Sequence, residues 1–397
     1  MSVILKLSYL IYYLIFPKKV NRVVFYSASG ASFNQNSKHL FEFCIANTDL
    51  ECKFVVNNNR LREQLNQEFG GGFISNQGVE NIRWIMSAGI WVTSTGLPIK
   101  VPFFDVGRLC VNLWHGIPLK KVLYKDVSIN ALKRLLFSFV YPKYDIVTST
   151  SDTVSDVLVD SFRCKPSSVV VTGQAWNDAV FTKDNAAQVR ALDARITEQS
   201  KLVLYAPTWR NAPAKAFSLN PFKTYPDERP STVFFPFEDL KLEELQSYLE
   251  SEDIFVFVRA HLLDAQNNQE ILKLPNVVSF EQDAFPDVME YINAFDMLIT
   301  DYSSIYFDFL HLDRPMLFLP YDIEEYTKNP GFNFDYHAVT PGPKPSSFAE
   351  FKTVLSNSLS GDFDRELLLS TKRKFHKFDG DNCKRIYELM KDYRDSK

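Results

Sequence analysis

His115 stands in Trp114-His115-Gly116, directly after an apolar run at 109–113, with Pro118, Lys120 and Lys121 just beyond. An imidazole on a strand-to-loop corner can take a proton at neutral pH, and the adjoining glycine lets a ligand approach closely. His261, in Val258-Arg259-Ala260-His261, occupies the equivalent corner after the run 254–258. A single corner histidine is more often structural, but two of them ending corresponding strands in two halves point to catalysis. Tyr205-Ala206-Pro207-Thr208-Trp209-Arg210 supplies hydroxyl, indole and guanidinium groups at a third strand end. Thr300-Asp301-Tyr302-Ser303-Ser304 ends a fourth, ahead of a helical stripe of Ile305, Phe309, Leu310 and Leu312. Ser303 and Ser304 are candidate N-caps there. A helix start at the carboxyl end of a parallel strand binds phosphate, although an ordinary capped turn has the same pattern. His39, His311, His337 and His376 fall in ordinary helix or loop settings and receive no role.

These corners need strands to end on. Strand-like runs fall at 23–26, 52–56, 90–93, 109–113, 146–148 and 169–172, then at 202–206, 254–258, 277–280, 297–300 and 316–319. Helical stretches lie between them, for example 38–46 and 60–69, and 381–393 reads as a last helix. The alternation predicts a parallel α/β sheet in each half. Polar residues 177–200 read as the connection between halves. The stretch 207–236, with six prolines and no clean period, reads as a ligand loop.

Composition narrows the classes. A chain of 397 residues holds about two domains. Apolar content of 46%, charged content of 23% and a formal net charge of −4 describe a globular protein with no global field for nucleic acid. The five cysteines are scattered, with no CxxC pair, which predicts reduced thiols and no zinc site. HExxH, Walker, GxSxG and Rossmann glycine patterns are all absent, and Asp301 is not part of an Asp-x-Asp pair, so no metal site is expected. Residues 3–16 are almost continuously apolar and are followed by Lys18, Lys19 and Arg22. That run is shorter than the roughly 20 residues of a bilayer span, and it fits an interfacial helix better than a signal peptide or a core helix. The stretch 120–143 is basic and apolar, reading equally as a membrane-surface helix or a core helix with solvated lysines.

Taken in order, these residues resemble the CDP-glycerol glycerophosphotransferases of teichoic-acid and capsule polymer synthesis. The resemblance runs through Asn36-Ser37-Lys38, Trp114 to Lys121, Tyr205 to Arg210, Arg259 and His261, and Thr300 to Ser304 with Phe307-Asp308. It continues through Arg314-Pro315, Tyr321-Asp322, Phe334-Asp335-Tyr336 and Pro341-Gly342-Pro343. It implies a GT-B fold, two Rossmann-like domains facing a central cleft, on the cytoplasmic face of the membrane as a peripheral enzyme. It implies CDP-glycerol or a related CDP-polyol as donor, a lipid-linked or polymer hydroxyl as acceptor, and no cofactor or metal. His115 and His261 are the implied catalytic pair. Pro207, Thr208, Trp209, Arg210, Arg259, Asp301, Ser303, Ser304 and Asp308 are the implied donor contacts, and Trp114, Gly116 and Lys120 the acceptor or phosphate contacts. The expected domains are a membrane-associating helix at 1–21, an acceptor domain at 22–177, a linker at 178–200, a donor domain at 201–370 and a helical segment at 371–397. Two segments depart from the family pattern. Ala175 and Trp176 stand where Pro-Arg is usual, and Pro330 where Arg is usual, which leaves polyol and acceptor open. A GT-B enzyme using a UDP- or GDP-sugar, and a non-catalytic membrane-bound scaffold, are the rival readings.

Overall fold

The computed structural model describes residues 18–27, 30–99, 107–126, 135, 143–208, 233–259, 268–281 and 284–397. The described residues of Met1–His115, Ser138–Asp178 and Lys377–Lys397 form one compact unit, and those of Gly116–Phe137 and Ala179–His376 form the other.

The first unit is built on strands β1 (Lys19–Tyr26), β2 (Glu51–Val55), β3 (Phe73–Ile74), β4 (Ala88–Thr93), β5 (Leu109–Asn112), β6 (Ile146–Ser149) and β7 (Val169–Val171). They pair in parallel in the order β3-β2-β1-β4-β5-β6-β7. Every residue of β4 is buried, which is why it reads as an unbroken apolar run and not an alternating one. Beneath the sheet, Phe25, Phe41, Phe54 and Phe73 pack with the C-terminal residues Cys383, Ile386 and Met390. Those last three lie on the Asn382–Asp395 helix, which is therefore part of this unit. Asp178 fixes its start by accepting from the backbone N–H groups of Asn382 and Cys383 at 2.9 and 2.8 Å. Gly173, at φ 79°, leaves room for it, since a Cβ there would lie 2.0 Å from Asn382 Oδ1.

In the second unit β8 (Lys201–Ala206), β9 (Ile254–Val258), β10 (Val277–Ser279), β11 (Met297–Thr300) and β12 (Met316–Phe318) pair in parallel in the order β10-β9-β8-β11-β12. Tyr205, Phe234, Phe235, Val256, Ile299 and Phe351 are among its buried core. Pro343 lies along the β12 edge, its carbonyl accepting from Phe318 N at 3.0 Å. Gly342 is needed there, because a Cβ would stand 2.1 Å from the Met316 carbonyl. The Pro341-Gly342-Pro343 run thus covers a sheet edge.

Every strand-like run of the sequence becomes a strand, 254–258 and 297–300 with the same ends and the others with shifted ones, and β3, two residues long, has no counterpart among them. Four expectations need correction. The N-terminal helix expected at 1–21 overlaps β1, which starts at Lys19 beside Gly89, where a Cβ would stand 2.8 Å from the Lys19 carbonyl. Residues 1–17 lie outside the described residues. The expected linker 178–200 is packed structure: Val189 is buried, and Asn185 Nδ2 donates to the Glu290 carbonyl at 2.8 Å. The expected 371–397 segment divides, with the Arg365–Phe375 helix in the second unit and Lys377–Lys397 in the first. Gly116 and Lys120, expected in the N-terminal domain, pack in the second unit because the chain there pairs with residues around Phe332.

Candidate functional site

In an open parallel sheet the strand order reverses at one point, and the helices leaving the two strands there part to opposite faces, opening a crevice at their carboxyl ends. In the first unit that point lies between β1 and β4. Ser37, in the first turn of the Gln35–Asn47 helix, bridges it. Its hydroxyl donates to the Tyr26 carbonyl and meets Ser94 Oγ, both at 2.8 Å. Ser94 N also donates to the Tyr26 carbonyl at 3.1 Å. Asn36, fully buried, donates from Nδ2 to the Trp114 carbonyl at 3.0 Å and accepts at Oδ1 from Trp176 N at 2.9 Å. Asn36 and Ser37 therefore hold the ends of β1, β4 and β5 in register.

His115 stands at the end of β5. Its Nδ1 lies 3.1 Å from Thr95 Oγ1 and 3.4 Å from the Ser94 carbonyl, and its ring lies against Trp114 with centroids 4.0 Å apart. Trp114 adopts φ 54°, with its N–H donating to Asn112 Oδ1 at 2.8 Å, and this turn aims the histidine. Burial lowers the His115 pKa below its ordinary 6.5, opposed in part by the bond to Ser94. The group is neutral at pH 7. Sequence reasoning found His115 but not Ser94 or Thr95. The signal was available, because Ser94-Thr95-Gly96 follows β4 as Trp114-His115-Gly116 follows β5.

In the second unit the order reverses between β8 and β11. Thr300 Oγ1 donates to the Ala206 carbonyl at 2.7 Å, and Asp301 Oδ1 accepts from Thr208 N at 2.7 Å and Tyr302 N at 2.5 Å. Buried Asp301 thus fastens the loops after β8 and β11 together. Pro207 lies beside Thr208 on that fastened loop. Ser303 and Ser304 follow, half-buried, and their hydroxyls have no hydrogen-bond partner among the described residues. Ser304 takes the N-cap position at φ −68°, ψ −7° with no side-chain cap bond. The expected capping is therefore corrected: an αR backbone does not turn the hydroxyl onto the following N–H groups. The helix behind it, Ile305–Phe309, is five residues long, and Asp308 is buried on it.

Arg259 ends β9. Its backbone N–H donates to the Tyr205 carbonyl at 2.8 Å, one guanidinium N–H donates to the Phe285 carbonyl at 2.9 Å, and the group lies 5.8 Å from the Phe280 ring centroid. Burial pushes its pKa down to about 10, so it remains a cation at neutral pH. His261, Trp209 and Arg210 lie outside the described residues. Lys120, placed by an antiparallel bridge to Phe332, holds its ammonium 5.2 Å from the Tyr326 ring centroid. Asn333 pins the same segment, donating to the Pro118 and Lys120 carbonyls at 2.8 Å each. Tyr326 stacks on Tyr302, whose hydroxyl donates to Asp322 at 3.0 Å. Burial and that carboxylate raise the Tyr302 phenol far above its ordinary range. Among the described residues no group of three or more His, Cys, Asp or Glu could hold a metal, and no helix is long and apolar enough to cross a membrane.

The family model described as CDP-Glycerol:Poly(glycerophosphate) glycerophosphotransferase matches residues 8–391. The teichoic acid poly(glycerol phosphate) polymerase of Bacillus subtilis (strain 168) is 28% identical over 87% of this chain, which spans 45% of that relative's length. The protein of the same name from Bacillus spizizenii is 27% identical over 82% of this chain and 81% of its own. The solved structure of the wall teichoic acid polymerase TagF matches with a TM-score of 0.73 at 19% identity, over 98% of this chain and 94% of that one.

Proposed function

We infer the reaction from one premise: this chain belongs to the CDP-glycerol:poly(glycerophosphate) glycerophosphotransferase family. The reading it supports is transfer of a polyol phosphate, glycerol phosphate foremost, from a CDP-activated donor to a hydroxyl of a lipid-linked or polymer acceptor. The setting is teichoic-acid-like or capsule polymer synthesis. The observation that carries it is the family match over residues 8–391. The two parallel sheets support a GT-B architecture, with the first unit for the acceptor and the second for the nucleotide.

The chemistry follows from the groups at the two reversal points. The acceptor oxygen attacks the β-phosphorus of the donor while its proton passes to His115 Nε2. The bond from that phosphorus to the CMP oxygen breaks, and CMP leaves with the electron pair. Ser303 and Ser304 donate to the diphosphate and Arg259 supplies positive charge. His261 and Arg210 are assigned the same duty. Catalysis then rests on positioning and electrostatic stabilisation. We assign no metal, because Asp301 Oδ1 already accepts two backbone N–H groups. Docking is proposed as peripheral, through residues 3–16 and the lysines after them, at the cytoplasmic face.

A donor panel tests this. The protein is incubated with CDP-glycerol, CDP-ribitol or UDP-N-acetylglucosamine and an acceptor, and the released nucleotide is identified. CMP from a CDP-polyol is expected. UDP in its place overturns the reading in favour of a sugar-nucleotide enzyme, and no nucleotide from any donor favours a scaffold.

A further inference from the structure

We propose that Thr95 is the positioning residue of His115, fixing which ring nitrogen meets the acceptor hydroxyl. The inference rests on the reading of His115 as the base. Thr95 Oγ1 lies 3.1 Å from His115 Nδ1, and the Ser94 carbonyl lies 3.4 Å from the same atom. A carbonyl can only accept, so Nδ1 carries the hydrogen and Thr95 Oγ1 accepts it alongside Ser94. The lone pair is thereby assigned to Nε2, which has no hydrogen-bond partner among the described residues.

The turn that carries this hydroxyl is itself held in place. Thr95 N donates to Thr93 Oγ1 at 3.1 Å, and Thr93 Oγ1 donates to the Gly96 carbonyl at 2.9 Å. One residue back, Ser94 Oγ accepts from Ser37 N at 2.9 Å. The turn carrying Thr95 is thus tied to the strand-order reversal, and the imidazole is restrained on its edge by Thr95 and on its face by Trp114. The hydrogen stays on Nδ1, hydrogen-bonded to Thr95 Oγ1, throughout the reaction. The acceptor O–H bond breaks, Nε2–H forms, the new oxygen–phosphorus bond forms as CMP departs, and the imidazolium later releases the Nε2 proton to water. A hydroxyl in the place often taken by a carboxylate receives the Nδ1 hydrogen without a full negative charge, so the ring is oriented yet stays neutral until it takes the proton.

The test compares T95V, which deletes the hydroxyl, with T95S, which keeps it, in the full chain. CDP-glycerol is the donor and a water-soluble glycerol-phosphate oligomer the acceptor. T95V is expected to lower kcat about 10- to 100-fold, the scale of loss when the hydrogen-bond partner that orients a metal-bound histidine is removed. CDP affinity by calorimetry should not change, and the acid limb of the kcat profile should move to lower pH because the imidazolium has lost an acceptor. T95S should restore both. ¹⁵N NMR should report one His115 tautomer in the wild type and a mixture in T95V. If T95V melts below the assay temperature, T95A makes the same deletion. Wild-type kcat and an unmoved limb in T95V overturn the proposal, as does equal impairment of T95V and T95S with the limb unmoved. His115→Ala is measured alongside. If it keeps its kcat, the base reading fails and this proposal with it; if it loses kcat while T95V does not, only the role of Thr95 falls.

Discussion

On the proposed reading His115 serves the acceptor and the serine pair the donor, and substitutions separate the two. His115→Ala should lower kcat by about 10²–10⁴, the usual loss when general-base help is removed. Calorimetric affinity for CDP should hold, and a parallel fall in both would move the residue to the donor side. Burial keeps the His115 pKa below 6.5, so kcat should climb with pH through that lowered value and level off before neutrality. Between the lowered value and 6.5 the unfolded chain binds a proton more readily than the fold does. This group's stabilisation is therefore complete above 6.5 and declines as the pH falls through the folded pKa. The double variant Ser303→Ala, Ser304→Ala should weaken CDP binding. Hydrogen bonds to a charged group contribute about 1.5–3 kcal/mol each, so an unchanged dissociation constant would remove both serines from the donor site. The histidine corner was legible because a strand end followed by His-Gly is a local pattern. The hydroxyl beside it repeats that corner pattern in Ser94-Thr95-Gly96, but its partnership with His115 was not legible, because the two meet only when β4 and β5 pair.

Elements buried on both faces announced themselves as unbroken apolar runs, as Ala88–Thr93 and Ile254–Val258 do. What the sequence hid was the work of loops and ends. Residues 178–200 read as polar and charged, yet Asn185 and Asn293 tie that stretch into the second unit through hydrogen bonds that carry no periodic signal. Asp178 caps a helix that begins at Asn382, a partnership no local pattern reports. Two glycines test how tightly that helix is clamped. Gly70 and Gly173 have φ 71° and 79°, but a Cβ at Gly70 meets nothing within 4 Å while one at Gly173 collides with Asn382. Gly70→Ala should cost about 1–2 kcal/mol of left-handed strain alone. Gly173→Ala should add overpacking, about 2–5 kcal/mol in all. Denaturant midpoints compare them, and equal shifts would mean that the helix yields to the new methyl.

At the scale of the molecule, two expectations concern what the protein needs around it. Turnover should survive excess EDTA, since Asp301 Oδ1 already accepts from Thr208 N and Tyr302 N and the described residues hold no group of three or more His, Cys, Asp or Glu that could hold a metal. Loss of turnover with chelator and recovery with Mg²⁺ would reassign that carboxylate as a ligand. Deleting residues 1–17, a cut that spares β1, should reduce co-sedimentation with anionic liposomes and leave turnover of a soluble acceptor intact. Lysines near such a surface contribute about 1 kcal/mol each and fade with salt, so equal sedimentation of both chains would end the docking role of that segment. The helix carrying Cys383, Ile386 and Met390 has a consequence in time. Chains emerge from the ribosome N-terminus first, and domains generally fold in that order. Here the core around Leu40 and Phe41 waits for those three side chains, which are made more than three hundred residues later. The second unit, whose residues end at His376, is fully synthesised before them. The first unit, begun before the second, is therefore completed after it, and a ribosome that stalls near residue 376 leaves a nascent chain with the hydrophobic face around Leu40 and Phe41 uncovered.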